Sequence, residues 1–177
     1  MAEPRCLGID FGTDSVRVII VRADTGAQEK SVVVKYPRWS AGRYCNPSAN
    51  LFRQHPLDYT ESVEQAFKEL VEGYSSIQLN NIIGIGIDTT GSTVCAIDKS
   101  GLPLSFDSRF EENPNAMFLL WKDHSAVQEA KEINTLAHTW NGIDYTIFEG
   151  STYSPEWFWA KILHILRSDK AIAQSAY

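Results

Sequence analysis

At 177 residues, 44% of them hydrophobic, the chain can bury a core and is too apolar to be disordered. A formal net charge of −6 with no Lys/Arg cluster argues against a nucleic-acid partner, which needs a concentrated basic face. Three widely spaced cysteines without a CxxC, four histidines without a close ligand pair, no signal-like N-terminus and no apolar run of about 18 residues speak against a disulfide framework, a zinc site, secretion and a membrane span, and fit a soluble protein of the reducing cytoplasm.

Residues 5–10 (RCLGID) read as a short apolar strand, and residues 15–22 (SVRVIIVR) as a second, rich in the β-branched residues that suit a pleated sheet. ADTGA is turn chemistry and KSVVVKY, residues 30–36, a third strand, so the chain opens as an antiparallel meander. Residues 37–57 contain three prolines and predict a long irregular loop. A helix is expected from Asp58, with Asp58 and Glu61 at capping-box spacing. Tyr59, Val63, Ala66, Phe67, Leu70, Val71 and Tyr74 follow along one face, and Gly73 lies near the end. NIIGIGID, residues 81–88, reads as a buried strand, parallel to its neighbour because a helix precedes it. VCAID and AMFLLW (116–121) read as further strands. Ser125 is placed to cap a helix carrying Val127, Ala130, Ile133 and Ala137. Ser154-Pro155 is placed to open a last helix with Trp157, Phe158, Ile162, Leu163, Ile165 and Leu166. The order βββαββ followed by helices makes an α/β fold with a mixed sheet. The chain stops inside a helical stretch, DKAIAQSAY, so a longer protein is expected.

Two polar corners interrupt this pattern. In the first, Gly12, Thr13 and Ser15 follow a strand that ends at Asp10. Backbone N–H groups and two hydroxyls could meet a phosphate there, and a carboxylate beside a phosphate makes sense with a hydrated Mg²⁺ between them. The alternative is a tight polar hairpin without a ligand. The pattern is not a Walker A loop. The second corner, DTTGST at 88–93, also follows a strand, and ligands gather beyond strand ends. Lys122, Asp123 and His124 lie between an apolar run and a helix; Asp123 is either a helix cap or a ligand for a substrate hydroxyl, and His124 is the one histidine whose role stays open. Glu156 has a sufficient structural role in a first helical turn, and could also accept hydrogen bonds from a polyol.

GIDFGTDSVR resembles the first phosphate motif of the FGGY family of sugar kinases, in the actin and hexokinase superfamily. YPRW, FRQHPLDYTES, GIGIDTTGST, ENPNAMFLLWKDHSAVQEA and EWFWAKILHI are similar, in order, to the members of that family acting on L-ribulose. The resemblance covers essentially the whole chain. It implies a ribonuclease-H-like (actin-like ATPase) fold in each of two lobes, with the cleft between them. It implies ATP and Mg²⁺ as cofactors, and transfer of the γ-phosphoryl group to the 5-hydroxyl of L-ribulose. Carried over by motif, Asp10 would hold the metal through water, Gly12, Thr13 and Ser15 would face the β- and γ-phosphates, and Arg17 would support the corner. Gly91 and Ser92 would lie along the sugar, with Lys122, Asp123 and Glu156 as further sugar candidates. Family members run to roughly three times this length. Residues 1–177 are therefore expected to be the N-terminal part of the first lobe. The catalytic aspartate and the adenosine pocket lie in family segments beyond Tyr177, so the chain alone is expected to be inactive. Two other readings stay open: a kinase of the same family acting on xylulose, D-ribulose or glycerol, and a non-catalytic binding module on an actin-like half-fold. A homodimer is also open, since no periodicity picks out an interface.

Overall fold

Seven strands and six α-helices follow one another along residues 3–177, the part of the chain that the computed structural model describes. In chain order they are β1 (Arg5–Phe11), β2 (Ser15–Arg22), β3 (Gln28–Lys35), α1 (Pro37–Ser40), β4 (Cys45–Asn46), β5 (Leu51–Gln54), α2 (Pro56–Val71), α3 (Ser76–Leu79), β6 (Ile82–Thr89), β7 (Phe118–Leu119), α4 (Val127–Ala137), α5 (Phe158–Ser168) and α6 (Lys170–Ser175). They form two compact units. One joins the chain up to Ala41 with Leu57–Thr90; the other joins Gly42–Pro56 with Gly91–Tyr177. Among the described residues no helix is long and apolar enough to cross a membrane.

The first unit is a four-stranded sheet in the order β3-β2-β1-β6. The first three strands pair antiparallel and β6 runs parallel to β1, the mixed sheet expected from the sequence. Alternation along the strands puts Leu7, Ile9, Phe11, Val16, Val18, Ile20, Val32 and Val34 in one core with Ala66 and Leu70 of α2. Val16, Val18, Ile20, Ala66 and Leu70 are fully buried, and the four larger side chains each stabilise by about 1.5–3 kcal/mol. Tyr36 and Tyr59 stack at 4.8 Å, and Tyr59 stacks on Phe11 at 5.6 Å.

Several expectations change. The strand at Ile82–Thr89 is parallel as predicted but not buried: Ile83, Ile85 and Ile87 are 68%, 64% and 65% exposed. It lies at the edge of the sheet, and among the described residues no strand pairs with its far side. The helix begins at Pro56, and Asp58 makes no capping box. Its buried carboxylate accepts hydrogen bonds from the backbone N–H groups of Arg38 and Trp39 and from the Arg38 guanidinium, so it caps α1 from another element. Glu61 pairs with the same arginine. The expected loop at 37–57 contains α1, β4, a 3₁₀ turn and β5.

In the second unit β5 lies between β4 and β7, and Arg53 of β5 faces Leu119 of β7. Leu104, Phe110, Ala116, Leu119, Ile165 and Ile172 form one cluster; Ala126, Ala130 and Ala160 form another between α4 and α5. VCAID makes only isolated bridges, Val94 to Leu119 and Ile97 to Pro103, and of AMFLLW only two residues are strand. Neither serine caps its predicted helix. Ser125 donates its hydroxyl to Asp123, leaving Ala126 at the start of α4. Ser154 accepts from the Glu156 N–H in a local turn, and α5 begins at Phe158, so Glu156 precedes the helix rather than sitting in its first turn.

Candidate functional site

The corner between β1 and β2 is closed by a hydrogen bond from the Gly12 N–H to the Ser15 carbonyl, 3.0 Å. A Cβ at Gly12 would lie 3.3 Å from that carbonyl oxygen, and Gly12 has no positive φ. Close approach, rather than unusual backbone angles, is therefore why glycine fits there. Asp14 is fixed by Trp39, whose indole N–H donates to its carboxylate at 2.6 Å. Strand register aligns Arg17, Asp10 and Asp88 side by side across β2, β1 and β6. All three are exposed. The structure thus brings Asp10, Gly12, Thr13, Ser15 and Arg17 to one corner. It adds Asp88, a second carboxylate in register at the end of a parallel strand, which spacing could not reveal because β1 and β6 are far apart in sequence.

The remaining candidates belong to the second unit. Gly91 has open space where a Cβ would be, and no positive φ. The left-handed residue is Ser92, φ 54°. Its carbonyl accepts from the ammonium of Lys161 at 2.6 Å, and that ammonium also donates to the carbonyl of Leu120 at 2.7 Å. Lys161 is fully buried, and burial holds its pKa down at about 8. Asp123 is also fully buried. It pairs with the buried Arg53 and accepts from the Phe52 N–H (2.7 Å), the Ser125 N–H (3.1 Å) and the Ser125 hydroxyl (2.6 Å). Burial lowers the Arg53 pKa to about 10, and its Nε has no partner. Asp123 therefore acts within the protein interior, as a brace under its neighbours. Those neighbours are accessible. The Lys122 ammonium lies 4.8 Å from the centre of the Phe52 ring, and His124 Nε2 meets the Glu156 carboxylate at 2.6 Å. Sequence reasoning named Glu156 and left His124 open; it missed Arg53 and Lys161. A lysine inside the apolar run WFWAKIL was the one visible signal.

No family model matches the chain. A ribulokinase from Vibrio parahaemolyticus is 46% identical over 175 residues, which is 99% of this chain and 31% of that protein. A ribulokinase from Shouchella clausii is 35% identical over 177 residues, 96% of this chain and 31% of that protein. Among solved structures, a xyloylose kinase from Brucella ovis matches with a TM-score of 0.73 at 16% identity, over 97% of this chain and 31% of that one. That likeness shows the fold, the actin-like ATPase fold of sugar kinases, as the sequence led one to expect. The chain spans about a third of the length of the curated relatives it matches.

Proposed function

We propose, from the premise that this chain is homologous to ribulokinases over nearly all its length and about a third of theirs, that it is the N-terminal part of the first lobe of an ATP-dependent kinase phosphorylating L-ribulose at its 5-hydroxyl. The 46% identity across 99% of the chain carries this reading. The Gly12 corner supports it: the Gly12 N–H closes the turn on the Ser15 carbonyl, and the corner carries the Thr13 and Ser15 hydroxyls, groups that can hold phosphate oxygens. Arg17, next to Asp10 in register, adds positive charge beside them.

Asp10 and Asp88 fit Mg²⁺, a hard cation that takes one or two carboxylates together with phosphate oxygens and water. Among the described residues no cluster of three ligands occurs, which suits that habit better than a closed metal cage. When bound, the ion neutralises charge on the transferring phosphoryl group. Gly91 and Ser92 would lie along the sugar, with Lys122 and Glu156 binding its hydroxyls and Asp123 bracing the segment that carries Lys122 and His124. His124, bonded to Glu156, would fix that carboxylate's orientation. The proton-abstracting aspartate and the adenosine pocket would come from the rest of a protein of the relatives' length. The three cysteines are free thiols, consistent with a cytoplasmic enzyme.

The natural-length protein, assayed with ATP and Mg²⁺ on L-ribulose, D-ribulose, xylulose and glycerol, is expected to prefer L-ribulose. A preference for xylulose or glycerol refutes the substrate. Asp10→Asn is expected to lower kcat by about 10²–10³-fold, the usual loss when one charge-stabilising group is removed. The purified 177-residue chain is expected to show no turnover.

A further inference from the structure

We infer that Lys161 is a positioning residue that sets the sugar-facing corner at Gly91–Ser92 by tying its backbone to the segment carrying Lys122 and His124. This rests on the kinase reading above. Lys161 projects from α5 into a fully buried position, where an unbonded ammonium is strongly unfavourable. Its three donors meet three carbonyls: Ser92 at 2.6 Å, Leu120 at 2.7 Å and Leu119 at 3.4 Å. One cation thereby joins three stretches distant in sequence: the corner at 91–92, the end of β7, and the helix that follows Glu156. A methionine would fill similar space without the burden of a buried charge. What the ammonium adds is control of carbonyl direction. Ser92 needs that control, because a non-glycine residue at φ 54° is unfavourable unless its surroundings hold it. The charges acting on Lys161 are Arg53, which repels it, and Glu156, which attracts it; burial brings its neutral form within reach at mildly alkaline pH.

The test uses the natural-length protein with Lys161→Met and Lys161→Arg. Lys161→Met is expected to raise the KM for L-ribulose about tenfold or more, the loss of hydrogen bonds to a charged group, with the KM for ATP unchanged. Lys161→Arg should recover part of the loss. Amide hydrogen exchange at residues 92–94 should quicken about tenfold in Lys161→Met while β1 and β2 stay protected. The wild-type KM for L-ribulose should rise between roughly pH 7 and 9.5 as the ammonium loses its proton. A folded Lys161→Met with unchanged sugar KM and unchanged exchange overturns the inference. Should neither variant fold, Lys161→Gln takes their place, and an unchanged sugar KM with unchanged exchange in that variant overturns it. If the wild type phosphorylates none of the sugars, the kinase reading fails, and the exchange data alone decide whether Lys161 holds the corner.

Discussion

Asp123 and Arg53 are the residues whose roles depend most on each other. Both side chains are fully buried, and the carboxylate accepts four hydrogen bonds. Asp123→Ala leaves a buried guanidinium without its counter-charge and is expected to destabilise the fold by about 3–5 kcal/mol. Urea unfolding of the two proteins measures this as a shift in midpoint at constant slope. Arg53→Met combined with Asp123→Leu removes both charges and should recover much of the loss; a double variant as unstable as the single one would refute the account. At this scale the sequence was only partly legible. Asp10, Gly12 and Lys122 could be picked out from local pattern. The work of Asp123 could not, because its partner lies 70 residues away in a stretch read as irregular loop. Ser125 was misread for the same reason: its hydroxyl serves that buried pair rather than the helix next to it.

Among the elements, β1 and β2 illustrate how tightly two strands can be matched. Gly8 faces Ile19, and a Cβ at Gly8 would lie 2.8 Å from Ile19 Cγ2. Gly8→Ala is expected to destabilise the sheet by about 1–3 kcal/mol through overpacking. Ile19→Ala in the same chain should relieve the clash, so thermal unfolding of the double variant should show less than the sum of the two single losses. The strands themselves were legible, since β-branched alternation and the turn at ADTGA specify the meander. The parallel placement of β6 followed from the helix before it. Its exposure did not, because an apolar run records that a strand prefers burial and not whether another element covers it. The late start of α5 has a similar origin: Ser154 and Pro155 carry a helix-start signal, but the serine hydroxyl is used in a turn three residues before the N-cap at Trp157.

For the molecule as a whole, the uncovered row on β6 is the main liability. Ile83, Ile85 and Ile87 continue the apolar face that α2 covers over the other strands, and they stand beside an unpaired strand edge. The 177-residue chain is therefore expected to self-associate as its concentration rises. Ile85→Lys with Ile87→Lys should suppress this in sedimentation velocity. A wild-type chain that stays monomeric at high concentration would count against the expectation. Fold class was the most legible level, because element order and the first glycine corner point to it together. The division into two units was not: the chain leaves one unit after Ala41, returns at Leu57 and leaves again after Thr90, and the three-proline stretch at 37–57 read as a loop rather than as an excursion into a second unit.

The Arg53–Asp123 pair also has a history in time. A ribosome adds roughly 5–20 residues per second, so about 4–14 s pass between the appearance of the arginine and that of the aspartate 70 residues later. For that interval the nascent β5 carries a cation with no counter-charge and cannot settle into its final, water-free place. Closure of the second unit around Arg53 is therefore expected to wait until Asp123 has left the exit tunnel, whereas the meander of β1, β2 and β3 has all its residues by Lys35.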